Sequence, residues 1–366
     1  MIRVAIIGAG IGAEHLQGYR ALPQRFHVST LCDLDLDRAR AVAGAAGDAG
    51  DIAVTSDFDA VLADPAIDLV DICLPPHLHV PMSLKALAAA KHVICEKPIT
   101  RALSEVDQLI EAARQAGRQV FPVFQYRYGR AMAQLRALKS AGLLGRAYTA
   151  SLETHWNRDA AYYAIPWRGT WDGEAGGAVL GHAIHAHDLL CHLLGPVAQV
   201  FAMTDTRVNP IETEDCAALA FRMESGALSS SSITLGAGND TTRLRLCYEH
   251  LTAESGTAPY APMQDNWRFT ARLPARQDEI DAIVGEVPEG LGGFAGYLEA
   301  VADALAGVGG AEVTLQDDGR RSIELITAIY ASSRSGRAVA LPLGADTVFY
   351  QGWLPDPPAF SRLSGQ

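Results

Sequence analysis

The segment Gly176 to Gly195, reading Gly-Gly-Ala-Val-Leu-Gly-His-Ala-Ile-His-Ala-His-Asp-Leu-Leu-Cys-His-Leu-Leu-Gly, carries four of the chain's eleven histidines and an aspartate on one expected helix. At about 100° per residue, His182, Asp188 and His192 fall within about 60° of His185, while His187 points to the far side. Such a face presents an imidazole base with polar support, suited to moving a proton near neutral pH. Upstream, Glu96-Lys97-Pro98 closes an apolar strand-like run. A lysine placed there can hydrogen-bond a substrate oxygen and stabilise negative charge as an alcohol becomes a carbonyl, although position alone equally allows a solvated charge. A metal site built from His182, His185, His187 and Asp188 is disfavoured, because His187 faces away from His185 on a regular helix.

A cofactor signature precedes both groups. Gly8-Ala9-Gly10-Ile11-Gly12-Ala13 follows a predicted strand and opens a predicted helix. Gly8 permits the tight turn, Gly10 lets the backbone approach a pyrophosphate, and Ala13 allows close helix-strand packing, while the amides around Ile11 and Gly12 open the helix toward the phosphates. Asp33 ends the second strand, where a carboxylate reaches ribose hydroxyls and repels a 2'-phosphate, so NAD is expected in preference to NADP; a helix cap is the competing reading. Leu74-Pro75-Pro76-His77-Leu78-His79 forms a later strand-to-helix turn, and His79 either lines the nicotinamide pocket or serves as an ordinary capping or solvated histidine.

Apolar runs at Val4-Gly8, Val28-Asp33, Leu69-Leu74, Val93-Glu96 and Val120-Phe124 alternate with helical patterns, which predicts a doubly wound parallel sheet in domain 1–124. In domain 125–366 a helix is expected near Arg130-Ala141 and strands at Ala147-His155, Val197-Thr206, Asp215-Met223 and Ala227-Leu235. Helices are expected around Gly293-Leu305 and Asp318-Ser333, giving an α/β domain with a large, mainly antiparallel open sheet. Ser255 to Val287 yields no assignable element, and the tail after Leu343 reads as a proline-containing arm.

At 366 residues, with 49% hydrophobic and 20% charged residues, the chain can bury two cores. Its net charge of -12 argues against nucleic acid or an anionic membrane as partner. The six cysteines lack a C-x-x-C pair and read as reduced, and no apolar run reaches transmembrane length, so the cytoplasm is the expected location.

Trp156, Trp167 and Trp171 place three of the five tryptophans just before the histidine helix, among Arg158, Tyr162, Tyr163 and Arg168. Flat rings pack on the C–H faces of a pyranose or cyclitol, and the polar groups bond its hydroxyls; a structural loop or subunit contact is the plainer alternative.

With Gly8-x-Gly10-x-x-Ala13, Leu74-Pro75 with His79, Glu96-Lys97-Pro98 and His185-x-x-Asp188 in this order, the chain resembles the Gfo/Idh/MocA family from Arg3 to about Pro342. Gln125-Tyr126-Arg127-Tyr128 also looks like one of its signatures. The resemblance implies a Rossmann domain joined to an α/β domain whose open sheet often mediates homodimers or homotetramers. It further implies a sugar or cyclitol substrate, cofactor contacts from the glycine turn, Asp33, Leu74, Pro75, His79, Glu96 and Lys97, Lys97 as active-site lysine and His185 as catalytic base. Tyr126, Arg127, Trp156, Trp167, Arg168, Trp171 and His182 complete the expected substrate site. One departure is clear: many members carry an aspartate four residues before that histidine, where this chain has Gly181, so His182 or Asp188 would have to orient the base. The expected activity is NAD-dependent oxidation of a secondary hydroxyl. NAD-assisted glycoside cleavage through a keto sugar is the alternative, and a non-catalytic NAD-binding regulator ranks behind both.

Overall fold

A computed structural model describes residues 1–45, 52–308 and 313–355. Strands β1 (Ile2–Ile7), β2 (Phe26–Cys32), β3 (Ala53–Thr55), β4 (Leu69–Ile72), β5 (His92–Cys95) and β6 (Val120–Pro122) form a parallel sheet in the order β3-β2-β1-β4-β5-β6. This is the doubly wound order, which reverses between β1 and β4 and places ligands outside the carboxyl ends of the strands there. Gly8, Cys73 and Glu96 each follow the last residue of β1, β4 and β5. All four positions of β4 are buried, as expected for a sheet covered on both faces, yet one of them is Asp71. The short strand β3 escaped the sequence reading because three residues carry almost no periodic signal.

The chain divides into two compact units, one comprising Met1–Thr100, Ser104–Gln125 and Phe294–Arg320, the other Arg101–Leu103, Tyr126–Gly293 and the chain from Arg321 onward. The single expected boundary at 124/125 therefore omits the return of Phe294–Arg320 to the first unit. Helix Gly293–Leu305 packs so closely on helix Gly12–Arg20 that a Cβ at Gly18 would stand 3.0 Å from Leu298 Cδ1. Tyr297 and Thr314 donate hydroxyl hydrogen bonds to the carbonyls of Phe121 (3.0 Å) and Pro122 (2.7 Å), and Arg320 pairs with Asp107 at 2.7 Å.

The second unit is built on β7 (Ala147–Asn157), β8 (Val197–Asp205), β9 (Cys216–Met223), β10 (Leu228–Thr234), β11 (Gly236–Tyr248), β12 (Leu251–Glu254), β13 (Arg268–Ala271) and β14 (Val339–Ala340), in the order β13-β12-β11-β7-β10-β9-β8-β14. Within this second sheet, only the β7–β10 pair is parallel among the described strands. Burial alternates residue by residue along β9 and β10, so one face is core and the other open. Helix Ile184–Leu194 packs its buried side chains on the core face, with His187 Nε2 3.0 Å from Ser231 Oγ and its ring edge against Phe221.

The stretch from 255 to 287, which periodicity left unassigned, contains β13 and helix Gln277–Glu286. Of the proline-containing arm, Trp353 is fully buried and its Nε1–H donates to Ala175 O at 2.6 Å; residues from 356 lie outside the described part. All six cysteines are free thiols, and no described helix is long and apolar enough to cross a membrane.

Candidate cofactor and catalytic site

In the first unit, the glycine turn has the geometry that its residue types demand. Gly8 sits at φ +104°, and a Cβ there would lie 2.3 Å from Cys73 O, so only glycine fits. A Cβ at Gly10 would meet nothing within 4 Å, which leaves the backbone open to an approaching pyrophosphate. Close helix-strand packing falls to Gly12, whose added Cβ would stand 2.8 Å from Ile6 Cγ2, rather than to the half-buried Ala13. Helix Gly12–Arg20 starts after the exposed Ile11 without a side-chain cap, which suits an anion.

Asp33 is buried, and its Oδ2 accepts from Ala9 N at 2.6 Å while Oδ1 accepts from Asp35 N and Arg38 Nη2 at 2.8 and 2.7 Å. Burial alone would raise its pKa, but the Arg38 pair and these backbone donors hold it below the usual carboxylate range. The helix cap is Asp35, which accepts from Arg38 N, so the capping reading of Asp33 does not apply. Arg38, on the following helix, is a cation that reading only the next two residues passes over.

Around Glu96-Lys97-Pro98, buried polar contacts are dense. Glu96 accepts from Lys97 N at 3.0 Å through Oε2 and pairs with His15 Nε2 at 3.0 Å through Oε1. On its other edge His15 Nδ1 lies 2.8 Å from Asp71 Oδ2, which also accepts from Tyr19 OH at 2.9 Å. Burial opposes a charge on His15, but the ionic and hydrogen-bonded partnership with Asp71 sets its pKa well above the ordinary histidine value. His79 is buried, with Nδ1 2.6 Å from Pro98 O and Nε2 2.7 Å from Leu74 O, so it ties the two turns flanking the expected nicotinamide position. Both ring nitrogens meet backbone carbonyls, which makes it a staple for those turns. Leu74 and Pro75 lie in the same turn, with Pro75 at the N-cap of helix Pro76–Ala88. Sequence reasoning missed His15, Tyr19 and Asp71; the available signal was a carboxylate interrupting the apolar run Leu69-Val-Asp-Ile-Cys-Leu74.

In the second unit, the histidine segment is not one regular helix: Val179–Ala183 is a π turn that leads into helix Ile184–Leu194. The ring of His185 stacks on Tyr126 at 4.7 Å and 23°, and Tyr126 OH donates to Pro259 O at 2.8 Å. One turn later, Asp188 accepts two hydrogen bonds from the buried Arg127, at 2.7 Å from Nε and 2.5 Å from Nη2. Tyr126-Arg127 thus lies along the face that presents His185 and Asp188, and Arg127 is engaged as a buried ion pair rather than held out as an exposed substrate clamp. A Cβ at Gly181 would meet nothing within 4 Å, so the space an aspartate would fill is open.

His182 lies in an aromatic group, 5.3 Å edge-on from Trp156, with its Nε2 3.5 Å from Tyr162 OH. Trp156 donates from Nε1 to Thr242 Oγ1 at 3.1 Å, and Arg158 lies over both Trp156 and Tyr162 at 4.9 and 5.3 Å. Arg168 covers the Tyr162 ring at 3.8 Å and neighbours the partly exposed Trp167 at 5.2 Å. Asp240 and Tyr260, bonded to each other and to Arg158, complete the group and come from strand β11 and an irregular stretch of weak periodicity. Trp171 departs from the expected cluster: it packs edge-on to Tyr330 at 5.7 Å, under Arg334 at 5.7 Å. Its place follows from Thr170, which caps the short helix Trp171–Glu174, and from the Trp171 N–H to Glu212 bond at 3.0 Å.

A doubly wound sheet with an open glycine turn and a buried aspartate just after β2, followed by a mainly antiparallel α/β unit bearing a histidine helix, defines the class of Rossmann-domain oxidoreductases. Residues 2–124 match the model described as "Oxidoreductase family, NAD-binding Rossmann fold" and residues 132–254 the "GFO/IDH/MocA C-terminal domain", so the chain belongs to the Gfo/Idh/MocA family and its first unit is an NAD-binding Rossmann domain. It is 29% identical over 227 residues to a levoglucosan dehydrogenase of Pseudarthrobacter phenanthrenivorans, covering 60% of this chain and 58% of that one. It is 27% identical over 233 residues to a myo-inositol 2-dehydrogenase of Thermotoga maritima, covering 62% and 66%. The aligned part spans about two thirds or less of such relatives, 65% for an uncharacterised oxidoreductase of Synechocystis. Among solved structures, the WlbA dehydrogenase of Bordetella pertussis in complex with NADH and UDP-GlcNAcA superposes with a TM-score of 0.79 at 28% identity, covering 94% of this chain and 99% of that one.

Proposed function

We propose that this chain is an NAD-dependent dehydrogenase that oxidises a secondary hydroxyl of a sugar, glycoside or cyclitol. The observation that carries the reading is the helix face on which His185, stacked on Tyr126, follows His182 in its group of Trp156, Tyr162 and Arg158. His185 takes the hydroxyl proton, and Lys97 hydrogen-bonds the same oxygen as it becomes a carbonyl. NAD supplies the hydride acceptor. The open backbone at Gly10 and the helix start at Gly12 hold its pyrophosphate, and Asp33 binds the adenosine ribose and disfavours NADP. Trp156, Tyr162 and Trp167 offer rings to the C–H faces of the substrate, with Arg158 and Arg168 beside them for its oxygens. With Gly181 unable to orient the base, the Tyr126 stack and the Arg127–Asp188 pair hold the helix that carries it.

The relatives named for levoglucosan, myo-inositol and a UDP-linked sugar acid support a carbohydrate substrate. The free thiols agree with a reducing compartment, and we place the enzyme in the cytoplasm as a homodimer or homotetramer. The test is a screen of purified protein with NAD and NADP against inositols, aldoses, anhydrosugars, aryl glycosides and nucleotide sugars, followed through absorbance of the reduced nicotinamide. A polyol-dependent NADH signal is expected. Silence accompanied by glycoside cleavage would replace the reading with NAD-assisted hydrolysis, and silence throughout would overturn it.

A further inference from the structure

The polar network beneath Lys97 is built from side chains that no proton transfer to substrate requires. His15 is fully buried, with a carboxylate at each ring nitrogen: Asp71 at 2.8 Å from Nδ1 and Glu96 at 3.0 Å from Nε2. An ionised carboxylate only accepts hydrogen bonds, so satisfying both contacts requires a hydrogen on each nitrogen. Phe294 packs against the ring, centroid to centroid at 4.5 Å. The other groups facing it are Tyr19, bonded to Asp71, and the Cys73 thiol, 3.5 Å from both His15 Nδ1 and Asp71 Oδ1. Neither contributes a positive charge. His15 lies between two buried carboxylates and is the group placed to donate to both, at 2.8 Å to Asp71 and 3.0 Å to Glu96. Glu96 then turns its second oxygen to Lys97 N at 3.0 Å, while His79 holds Pro98 O at 2.6 Å from the far side.

We infer that His15 is a positioning residue: an imidazolium that joins Asp71 to Glu96 and, through Glu96, fixes the backbone from which Lys97 projects. The donor atoms of His15, Asp71 and Cys73 lie within 4.8 Å of one another, a spacing that would also suit a cation. Metal ligation needs a free lone pair on the imidazole, which the doubly hydrogen-bonded ring does not have. The inference rests on Lys97 being the group that meets the substrate oxygen, but its tests use no substrate, so the two ideas fail separately.

The first test is nitrogen NMR of the full chain with NAD bound and its histidines 15N-labelled, recorded at pH 8.5. A doubly protonated ring whose signals vanish in His15→Gln is expected, read apart from His79, whose two nitrogens also face acceptors. A wild-type protein with only neutral rings, or with one tightly held metal ion per chain, would overturn the assignment. The second test is acylation of lysines at pH 8, read peptide by peptide, with Lys85 and Lys139 as internal references. Removing the His15 charge should make Lys97 more basic and slow its labelling roughly threefold, and Glu96→Gln should speed it by a similar factor. Opposite signs are the mark of a charge relay between these residues, since simple loosening would speed both. Unchanged or parallel responses would sink the inference, and if His15→Gln does not fold, Glu96→Gln and the wild-type spectrum decide it.

Discussion

The ring of Tyr126 lies 4.7 Å from that of His185 and 23° from parallel, the two residues belonging to a short 3-10 turn and to helix Ile184–Leu194. This stack holds the imidazole plane, while the Tyr126 hydroxyl is committed to Pro259 O. Tyr126→Leu should lower kcat about tenfold with KM for NAD unchanged, since the change acts on the orientation of the base. Tyr126→Phe, which keeps the ring, should stay within about threefold of wild type. Steady-state kinetics on the best polyol of the screen distinguishes the two.

Lys97→Ala should cut turnover by about 100-fold or more while leaving NAD affinity, measured by fluorescence titration, nearly unchanged. Turnover near that of the wild type would remove Lys97 from the reaction.

Cofactor choice rests on the Asp33–Arg38 pair. In Asp33→Ser the repelling carboxylate is gone and Arg38, 2.7 Å away in the present structure, is released to meet a 2'-phosphate. The ratio of kcat/KM for NAD over NADP should fall by roughly tenfold or more, and Asp33→Ser with Arg38→Ala should lose NADP use again. An unchanged ratio in the first variant would refute the role of Asp33.

Gly181 offers a gain-of-function test. Because a side chain there enters open space, Gly181→Asp should be tolerated and should place a carboxylate one turn before His185. A raised kcat or an acid limb moved to higher pH is expected; identical pH profiles would show that the histidine already has its orienting group.

Glu214 accepts from Gly177 N, Val179 N and Tyr330 OH at the start of the π turn, and full burial pushes its pKa up to about 7 against those donors. A carboxyl whose folded pKa exceeds its unfolded value of about 4.5 favours the folded state at low pH. That contribution, on the order of 3 kcal/mol, is lost as pH rises from about 4.5 to 7. Melting temperature should therefore decline across this window more steeply in wild type than in Glu214→Gln, as followed by calorimetry. Equal slopes would mean that Glu214 stays ionised throughout.

The first sheet was legible because its strands are continuous apolar runs ended by glycine, aspartate or the Glu-Lys-Pro turn, each a local signal of a buried strand and its exit. Helix Gly293–Leu305 was equally legible as an element, yet nothing in its own residues announces that it packs on Gly18 and Phe121 far back in the chain. The histidine helix was read with His187 on the side away from His185, and its Ser231 and Phe221 contacts lie on the sheet. The π turn was invisible, because five residues of wider winding leave the same apolar spacing. The His15–Asp71–Glu96 network was hidden for a different reason: its members are separated by 56 and 81 residues and meet only when parallel strands β4 and β5 pair.

The return of Phe294–Arg320 to the first unit bears on how the protein comes to exist in the cell. A nascent chain that has emerged only as far as Gln125 has all six strands of the nucleotide-binding sheet but lacks the aromatic cover over His15 and the hydroxyls that bond Phe121 and Pro122. At roughly 5–20 residues per second, on the order of ten seconds or more of further synthesis separate those strands from Phe294. During that interval the buried carboxylates Asp71 and Glu96 sit beneath an unfinished roof, so the amino-terminal unit is expected to mature late, after most of its neighbour has been made.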